Sequence, residues 1–413
     1  MFRVWYSTES LADFIIDHTS LAARRPIKQK LYESDANNPT KFHTMPDHIR
    51  QILYLDSPDL IIERDSEPIF SIEISTEAGT GHNAFQRFAR IAASVENGVP
   101  AFYIYPEAVI IQRQSTGTGW DVLNPAIFAA LEAVMEIYDI PALLYYFPGD
   151  YPNSPSADTE AGEASNFNVK GLDLANNIKY AGCPNAARAS MQRLFRALNL
   201  VINASDTSPA ADIMSIPAIR DHRTWMSEQY VAKAAARPLT DMSPLSATLS
   251  IKTSTLLAYL KQYESGGYRI GELLRGRPVT LIYRANAKFR GDPYPGALAA
   301  VDYLACRTGT SFEDRRCNLV LAFGHVTGGE AGQPLEVADQ NGSTISDLFA
   351  AVQNSESANL LTKDYNELRP FNKPRYLMQM RYGSTYSKRK DIRVYSYFAD
   401  AILFPDGALW RDG

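Results

Sequence analysis

Two strand-like runs flank a polar turn between residues 57 and 75, and both alternate with a period of two. On the first run Asp59, Ile61 and Glu63 share one face, and Leu60 and Ile62 share the other. On the second, Ser71, Glu73 and Ser75 face one way and Phe70, Ile72 and Ile74 the other. A hairpin closing around Ser66 sets Asp59 opposite Glu73. After Gly79-Thr80-Gly81 the period changes: Ala84, Phe85, Phe88, Ile91, Ala92 and Val95 recur at helical spacing, and Asn97-Gly98 ends the helix. Val99 to Tyr105 is nearly continuous apolar sequence, as a buried parallel strand is. Met45 to Leu55, with Ile49, Ile52 and Leu53 as its stripe, predicts a short helix upstream. The expected order is helix, strand, strand, helix, strand, with the acids on the hairpin.

Further along, residues 151 to 166 are rich in Pro, Ser, Gly and acids and lack apolar periodicity, which predicts a linker or surface loop. This divides the chain into an N-terminal domain, 1–150, and a C-terminal region, 167–413, of one or two domains. In the latter, Ala186 to Ile202, Ser254 to Tyr263 and Ala297 to Cys306 are expected helices, and Val279 to Tyr283 and Asn318 to Phe323 expected strands. Ile392 to Phe404 and Leu409-Trp410 are expected to close a hairpin around Pro405-Asp406-Gly407. The fold class that follows is α/β at the N-terminus and α+β beyond. No internal repeat, P-loop, G-x-G-x-x-G or G-x-S-x-G occurs, which argues against nucleotide-driven translocation, dinucleotide chemistry and an α/β-hydrolase.

Composition narrows the setting. Cys183, Cys306 and Cys317 make an odd number without C-x-x-C spacing, so neither a disulfide framework nor a structural zinc site is expected, and a reducing cytoplasm is. The first residues lack a basic segment followed by an apolar one, so no signal peptide is expected. The most apolar stretch, Ala126 to Phe147, is broken by Glu132, Glu136, Asp139 and Pro141, which excludes a membrane span there. The charge is uneven: residues 1–150 hold 11 Lys+Arg against 20 Asp+Glu, while the whole chain holds 41 against 46. An acidic first part and a basic remainder hint at nucleic-acid contact.

The facing acids carry the chemistry. Like charges directly opposite on adjacent strands destabilise a sheet, so the pair calls for a cation between them or a proton on one. Two carboxylates at that separation suit Mg²⁺, which takes one or two carboxylates, waters and a substrate phosphate. At these residues the chain resembles the PD-(D/E)XK nuclease superfamily: Pro58-Asp59 matches its PD, and Glu73-Ile74-Ser75 stands where E-x-K stands. The resemblance covers residues 43 to 106 and implies a restriction-endonuclease-like mixed sheet flanked by helices. It also implies one or two Mg²⁺ ions, replaceable by Mn²⁺, held by Asp59, Glu73 and the Ile74 carbonyl, with Glu77 completing a second shell. Ser75 occupies the lysine position and cannot supply its charge. Gln86 and Arg87 are the expected replacements, with Arg90, Glu77 and Lys41 as further candidates, although Asn83-x-x-Gln86 also fits a capping box.

Two basic stretches fit DNA recognition. Lys373, Arg375, Arg381, Lys388, Arg389 and Lys390 are interleaved with Tyr376, Tyr382 and Tyr386, as on a phosphate-tracking surface. Arg275, Arg277, Arg284, Lys288 and Arg290 form the other stretch, where arginine could read guanine in a major groove. The expectation is a Mg²⁺-dependent, sequence-specific endonuclease of the type II restriction kind, acting on double-stranded DNA as a homodimer beside a cognate methyltransferase. A structure-specific repair or mobile-element nuclease and a catalytically silent DNA-binding protein are the alternatives.

Overall fold

The computed structural model describes the chain except residues 33–38, 54, 76–82, 107, 114–116, 148–178, 205–209, 237–244, 263–273, 275, 286–293, 312–313, 331, 346, 349–376, 382–393, 396 and 413. The chain forms two compact units, one of residues 1–33 and 39–238, the other of 34–38 and 239–413.

The first unit is built on a six-stranded sheet. In chain order its main elements are β1 (Phe2–Tyr6), α1 (Glu9–Asp17), α2 (Leu21–Arg24), β2 (Ile27–Lys30), α3 (Pro39–His43), α4 (Asp47–Ile52), β3 (Leu60–Arg64), β4 (Glu67–Ile74), α5 (Phe88–Glu96) and β5 (Ala101–Pro106). A small hairpin, β6 (Ala108–Arg113) and β7 (Gly117–Val122), precedes α6 (Ala126–Tyr138), β8 (Ala142–Phe147), α7 (Ala189–Ala204) and α8 (Pro217–Ala236). The sheet order is β2-β1-β3-β4-β5-β8. β3 runs antiparallel to its neighbours β1 and β4, whereas β2 runs parallel to β1, β5 to β4 and β8 to β5. The expected helix–strand–strand–helix–strand order is present as α4, β3, β4, α5 and β5.

The hairpin register has two parts. Asp65 and Ser66 both take positive φ (50° and 70°), as a two-residue type I′ turn requires. That turn alone would set Asp59 opposite Ile72. Between Ile62 and Glu63 the register shifts, however: Glu63 pairs Pro68 and Ile62 pairs Phe70, leaving Ile69 as an extra residue. The bulge restores the parity, Leu60 pairs Ile72, and the next position brings Asp59 beside Glu73. One face of the sheet packs Trp5 and Ile61 against Phe42, Met45, Ile49 and Ile52 of the α3–α4 region. Glu63, buried on this face, is satisfied by Arg3, by Trp5 Nε1 at 2.7 Å and by His48 Nε2 at 3.2 Å.

The N-terminal unit extends well past residue 150. Helices α7 and α8 pack on β8, where the His222 ring stacks on Tyr145 at 3.8 Å and its Nε2 lies 2.8 Å from the Leu144 carbonyl. Phe14 of α1 meets Phe195 of α7, and Tyr180 donates to Asp17 at 2.8 Å. The compositional break at 151–166 therefore does not coincide with the border between compact units. Drawn at that border, the charge contrast narrows to 20 Lys+Arg against 27 Asp+Glu in the first unit and 21 against 19 in the second.

The second unit has its own six-stranded sheet. It contains β9 (Thr248–Lys252), α9 (Thr253–Lys261), β10 (Val279–Arg284), α10 (Tyr294–Val301), β11 (Asn318–Ala322), β12 (His325–Thr327), β13 (Glu336–Ala338), β14 (Leu377–Arg381), β15 (Ala401–Phe404) and β16 (Gly407–Asp412). The order is β14-β16-β15-β11-β10-β9, with β10, β11 and β15 parallel. The closing hairpin around Pro405-Asp406 is present, but its first arm starts at Ala401 and not at Ile392. The expected helix to Cys306 stops being α-helical at Val301 and continues as a π-helical turn over Asp302–Cys306. Among the described residues, no helix is long and apolar enough to cross a membrane.

Candidate active site

The registers of β1, β3, β4, β5 and β8 align one row of residues across the first sheet. Tyr6 pairs Leu60, Leu60 pairs Ile72, Ile72 pairs Phe102 and Phe102 pairs Leu143. The next row is therefore Ser7, Asp59, Glu73, Tyr103 and Leu144, with Glu73 and Tyr103 directly paired. Four neighbouring strands thus place a hydroxyl, two carboxylates and a phenol side by side.

Hydrogen bonds lock the two acids to each other's backbone. The Asp59 N–H donates to Glu73 Oε2 at 3.2 Å, and the Ile74 N–H donates to Asp59 Oδ2 at 3.0 Å. Ser7 Oγ donates to Asp59 Oδ1 at 3.1 Å. Ser75, the next residue on the same face as Glu73, is buried, with its N–H bonded to the Ile104 carbonyl at 2.9 Å.

The positive charge comes from α5 and the turn before it. Arg90 Nη1 reaches Glu73 Oε1 at 2.8 Å while its Nε reaches Asp56 Oδ2 at 2.7 Å. Arg87 Nε lies 3.2 Å from the same Glu73 oxygen. The two arginines are three apart, which puts them on one side of the helix start. Ser71 Oγ donates to Ser94 Oγ at 2.8 Å, and this bond fixes α5 against β4 one turn further on. Arg90 bridges Glu73 to Asp56, so both arginines approach the facing acids from the Glu73 side.

The balance of charge is incomplete. Asp56, Asp59 and Glu73 face Arg87 and Arg90, three carboxylates against two cations. Glu73 is 2% exposed, and burial, followed by the charges of Asp59 and Asp56, drives its carboxyl well above the usual range despite Arg90 and Arg87. Cys183 packs close enough for Asp59, after burial itself, to push its thiol up to about 12. It arrives on the 179–183 segment, which is pinned to α1 by Ser10 Oγ donating to the Ala181 carbonyl at 2.8 Å. Tyr103 Oη is fully buried and has no hydrogen-bond partner among the described residues.

A carboxylate offers about four lone-pair sites. Glu73 uses two in hydrogen bonds, from Arg90 and the Asp59 N–H, with Arg87 beside it as an ion pair, and Asp59 uses two, from Ser7 Oγ and the Ile74 N–H. Both keep capacity for a further cation, and with all three carboxyls ionised the acids outnumber the arginines by one; the upward push on Glu73 means that a proton or a cation can settle that excess. Mg²⁺ needs no more than one or two carboxylates, so this donor set fits it. Among the described residues, no group of three or more His, Cys, Asp or Glu is arranged for a metal.

The other expected residues divide. Gln86 lies in the turn before α5, which starts at Phe88, so it cannot close a capping box inside that helix. Arg277 bonds Asn318 Oδ1 at 3.2 Å and lies 3.8 Å from Asp400, and Arg284 Nε donates to the Ala247 carbonyl at 3.2 Å; both are half-buried in internal contacts. Arg381 ends strand β14. Glu77, Arg275, Lys288, Arg290, Lys373, Arg375, Lys388, Arg389 and Lys390 lie outside the described residues. Asp56, Ser7 and Tyr103 were not singled out by the sequence. Asp56 was within reach, three residues before Asp59, whereas Ser7 and Tyr103 depend on strand pairings that hydropathy alone does not reveal. Comparison with family models, with curated proteins and with solved structures returns no match.

Proposed function

We propose that this chain is a Mg²⁺-dependent endonuclease that hydrolyses phosphodiester bonds in double-stranded DNA, of the sequence-specific restriction kind. The observation that carries the reading is the row Ser7–Asp59–Glu73–Tyr103, with Arg90 and Arg87 reaching it from the helix between two parallel strands. The α4-β3-β4-α5-β5 order agrees with the resemblance at Pro58-Asp59 and Glu73-Ile74-Ser75.

Asp59, Glu73 and the Ile74 carbonyl would hold the ion. Bound there, Mg²⁺ would lower the pKa of a water and offset charge on the scissile phosphate. Ser7 and the Ile74 N–H fix the Asp59 carboxylate, so its orientation does not depend on the ligand. Arg87, about a quarter exposed, supplies the fixed positive charge that Ser75 cannot, within reach of a phosphate oxygen. Arg90 is a positioning residue: held between Asp56 and Glu73, it aims Glu73 along the row. The Tyr103 hydroxyl remains available to donate to a substrate or water oxygen.

The test is incubation of unmethylated plasmid and phage DNA with Mg²⁺, comparing wild type with Asp59→Ala. Discrete fragments lost in the variant are expected. One observation favours a second reading, a DNA-binding protein without catalysis: Glu73 is sealed by two arginines and Ser75 replaces the lysine. That reading predicts DNA retained without scission in Mg²⁺ or Mn²⁺.

A further inference from the structure

We infer that the exposed edge strand β2, with the turn before it, is a phosphate-contact surface through which the N-terminal unit grips a nucleic-acid duplex. The inference extends the nuclease reading from the reacting centre to the grip on its substrate, and it rests on that reading for the identity of the polyanion.

The first unit is acidic, yet between Asp17 and Glu33 the chain carries no acid and four cations, Arg24, Arg25, Lys28 and Lys30. They sit at an open sheet edge: β2 pairs with β1 on one side, ends the strand order, and all four of its residues are exposed. Lys28 is neutralised by Glu9 at 2.7 Å and Asp13 at 2.8 Å. Arg24 lies over the Phe2 ring at 5.8 Å, and Arg25 holds a left-handed φ of 49° at the end of α2. No acid among the described residues pairs with Arg24, Arg25 or Lys30. Edge lysines also keep sheets from pairing with one another. That role needs Lys28 and Lys30 alone and leaves the two arginines, which precede the strand, without a purpose.

Lys30 pairs Tyr6 in the parallel β1–β2 register, one residue before Ser7, so it stands at the strand end where Asp59 and Glu73 lie, with its side chain on the opposite face of the sheet. Arg24 and Arg25 precede β2 at the other strand end, so the cations form a stripe along the edge. Three strands separate Lys30 from Glu73, about 14 Å at 4.7–4.9 Å per strand, or about four base pairs of duplex at 3.4 Å each. A duplex that follows the edge passes at that distance from the acid row. Cations along a strand edge suit sequence-independent backbone contacts that fix register.

The experiment uses the full chain carrying Asp59→Ala, so that binding is read without cutting, and measures duplex affinity by anisotropy from about 50 to 200 mM salt. Arg24→Gln, Arg25→Gln and Lys30→Gln together should lower the slope of log K against log salt by about 1 per residue. Arg220→Gln, an exposed cation on α8, should leave the slope unchanged. All three target side chains are exposed, so the urea midpoint should hold and a lost slope cannot be ascribed to unfolding. An unaltered slope in the triple variant overturns the inference. So does displacement of DNA by polyglutamate at equal charge concentration, which would assign a generic polyanion, or a sedimenting dimer that the triple variant dissociates, which would assign a second copy. Wild type that binds with this slope but cuts nothing leaves the surface standing and removes the nuclease reading. Cutting with an unaltered slope does the reverse, and no duplex binding at all removes both.

Discussion

Each of the two units buries a cluster of acids and arginines at one end of a six-stranded mixed sheet, and the clusters differ in kind. In the second unit Asp302 and Asp400 meet Arg307 and Arg315: Arg315 bonds Asp400 at 2.8 Å and Asp302 at 3.1 Å, and Arg307 bonds Asp302 at 2.9 Å. Leu319 N–H donates to Asp400 at 2.9 Å, and Asn318 Nδ2 bonds the Leu274 carbonyl at 3.0 Å and Thr280 at 3.1 Å. Arg277, 3.8 Å from Asp400, adds a third cation, so no negative charge is left over; both acids are buried, and the cluster lies where the parallel strands β10, β11 and β15 begin. In the first unit three acids face two arginines, Asp59 and Arg87 are half-exposed, and the row lies toward the carboxyl ends of β4 and β5. Ligand sites in α/β sheets lie at carboxyl ends of strands. The acid-rich cluster at that end is the candidate site, and the one without surplus acid at the opposite end is a staple. Buried ion pairs alone would not have separated them.

Breaking each cluster sharpens the contrast. Arg315→Leu strands two buried acids and should cost about 3–5 kcal/mol, measured by urea unfolding, with no recovery on adding Mg²⁺. Acid should act on the first unit through His222, whose burial lowers its pKa to about 4. The folded state resists the proton that the unfolded chain takes below about 6.5, so stability falls as pH drops through that window, by about 3 kcal/mol in total. His222→Phe should flatten that pH profile. Arg90→Met should cost less than Arg315→Leu, about 2–3 kcal/mol, and part of the loss should return with Mg²⁺, because a cation can take the vacated place beside Glu73. The smallest effect is expected at Tyr103. Tyr103→Phe removes a buried hydroxyl lacking a partner and should raise the unfolding free energy by about 1 kcal/mol, while slowing cleavage.

How much of this could be read from the chain varies by element. Alternation located β3 and β4, helical spacing located α4 and α5, and the continuous apolar run located β5. The facing of Asp59 and Glu73 followed from a hairpin centred on Ser66, but the molecule reaches it through a turn half a residue earlier and a bulge at Ile69. Two offsets cancel, and no local signal in Glu67-Pro68-Ile69 announces the second. The N-terminal strands β1 and β2 escaped notice, because β2 is exposed throughout and lacks the apolar face that marks a strand. The unit border escaped as well. A composition break records where a chain is polar, whereas α7 and α8 return to β8 by contacts that depend on the fold. Arg277 and Arg284 looked like groove-reading cations, yet their partners Asn318 and Ala247 lie far off in sequence.

The most direct test of Asp59 and Glu73 as metal-holding acids is the conversion of supercoiled, unmethylated plasmid in Mg²⁺ by wild type, Asp59→Ala and Glu73→Ala, each checked for folding. Wild type should give discrete linear products, and either substitution should slow the reaction by about three orders of magnitude, the loss of several kcal/mol of metal-borne stabilisation. Cutting that persists in both variants, or wild type that leaves the plasmid intact, would contradict that role.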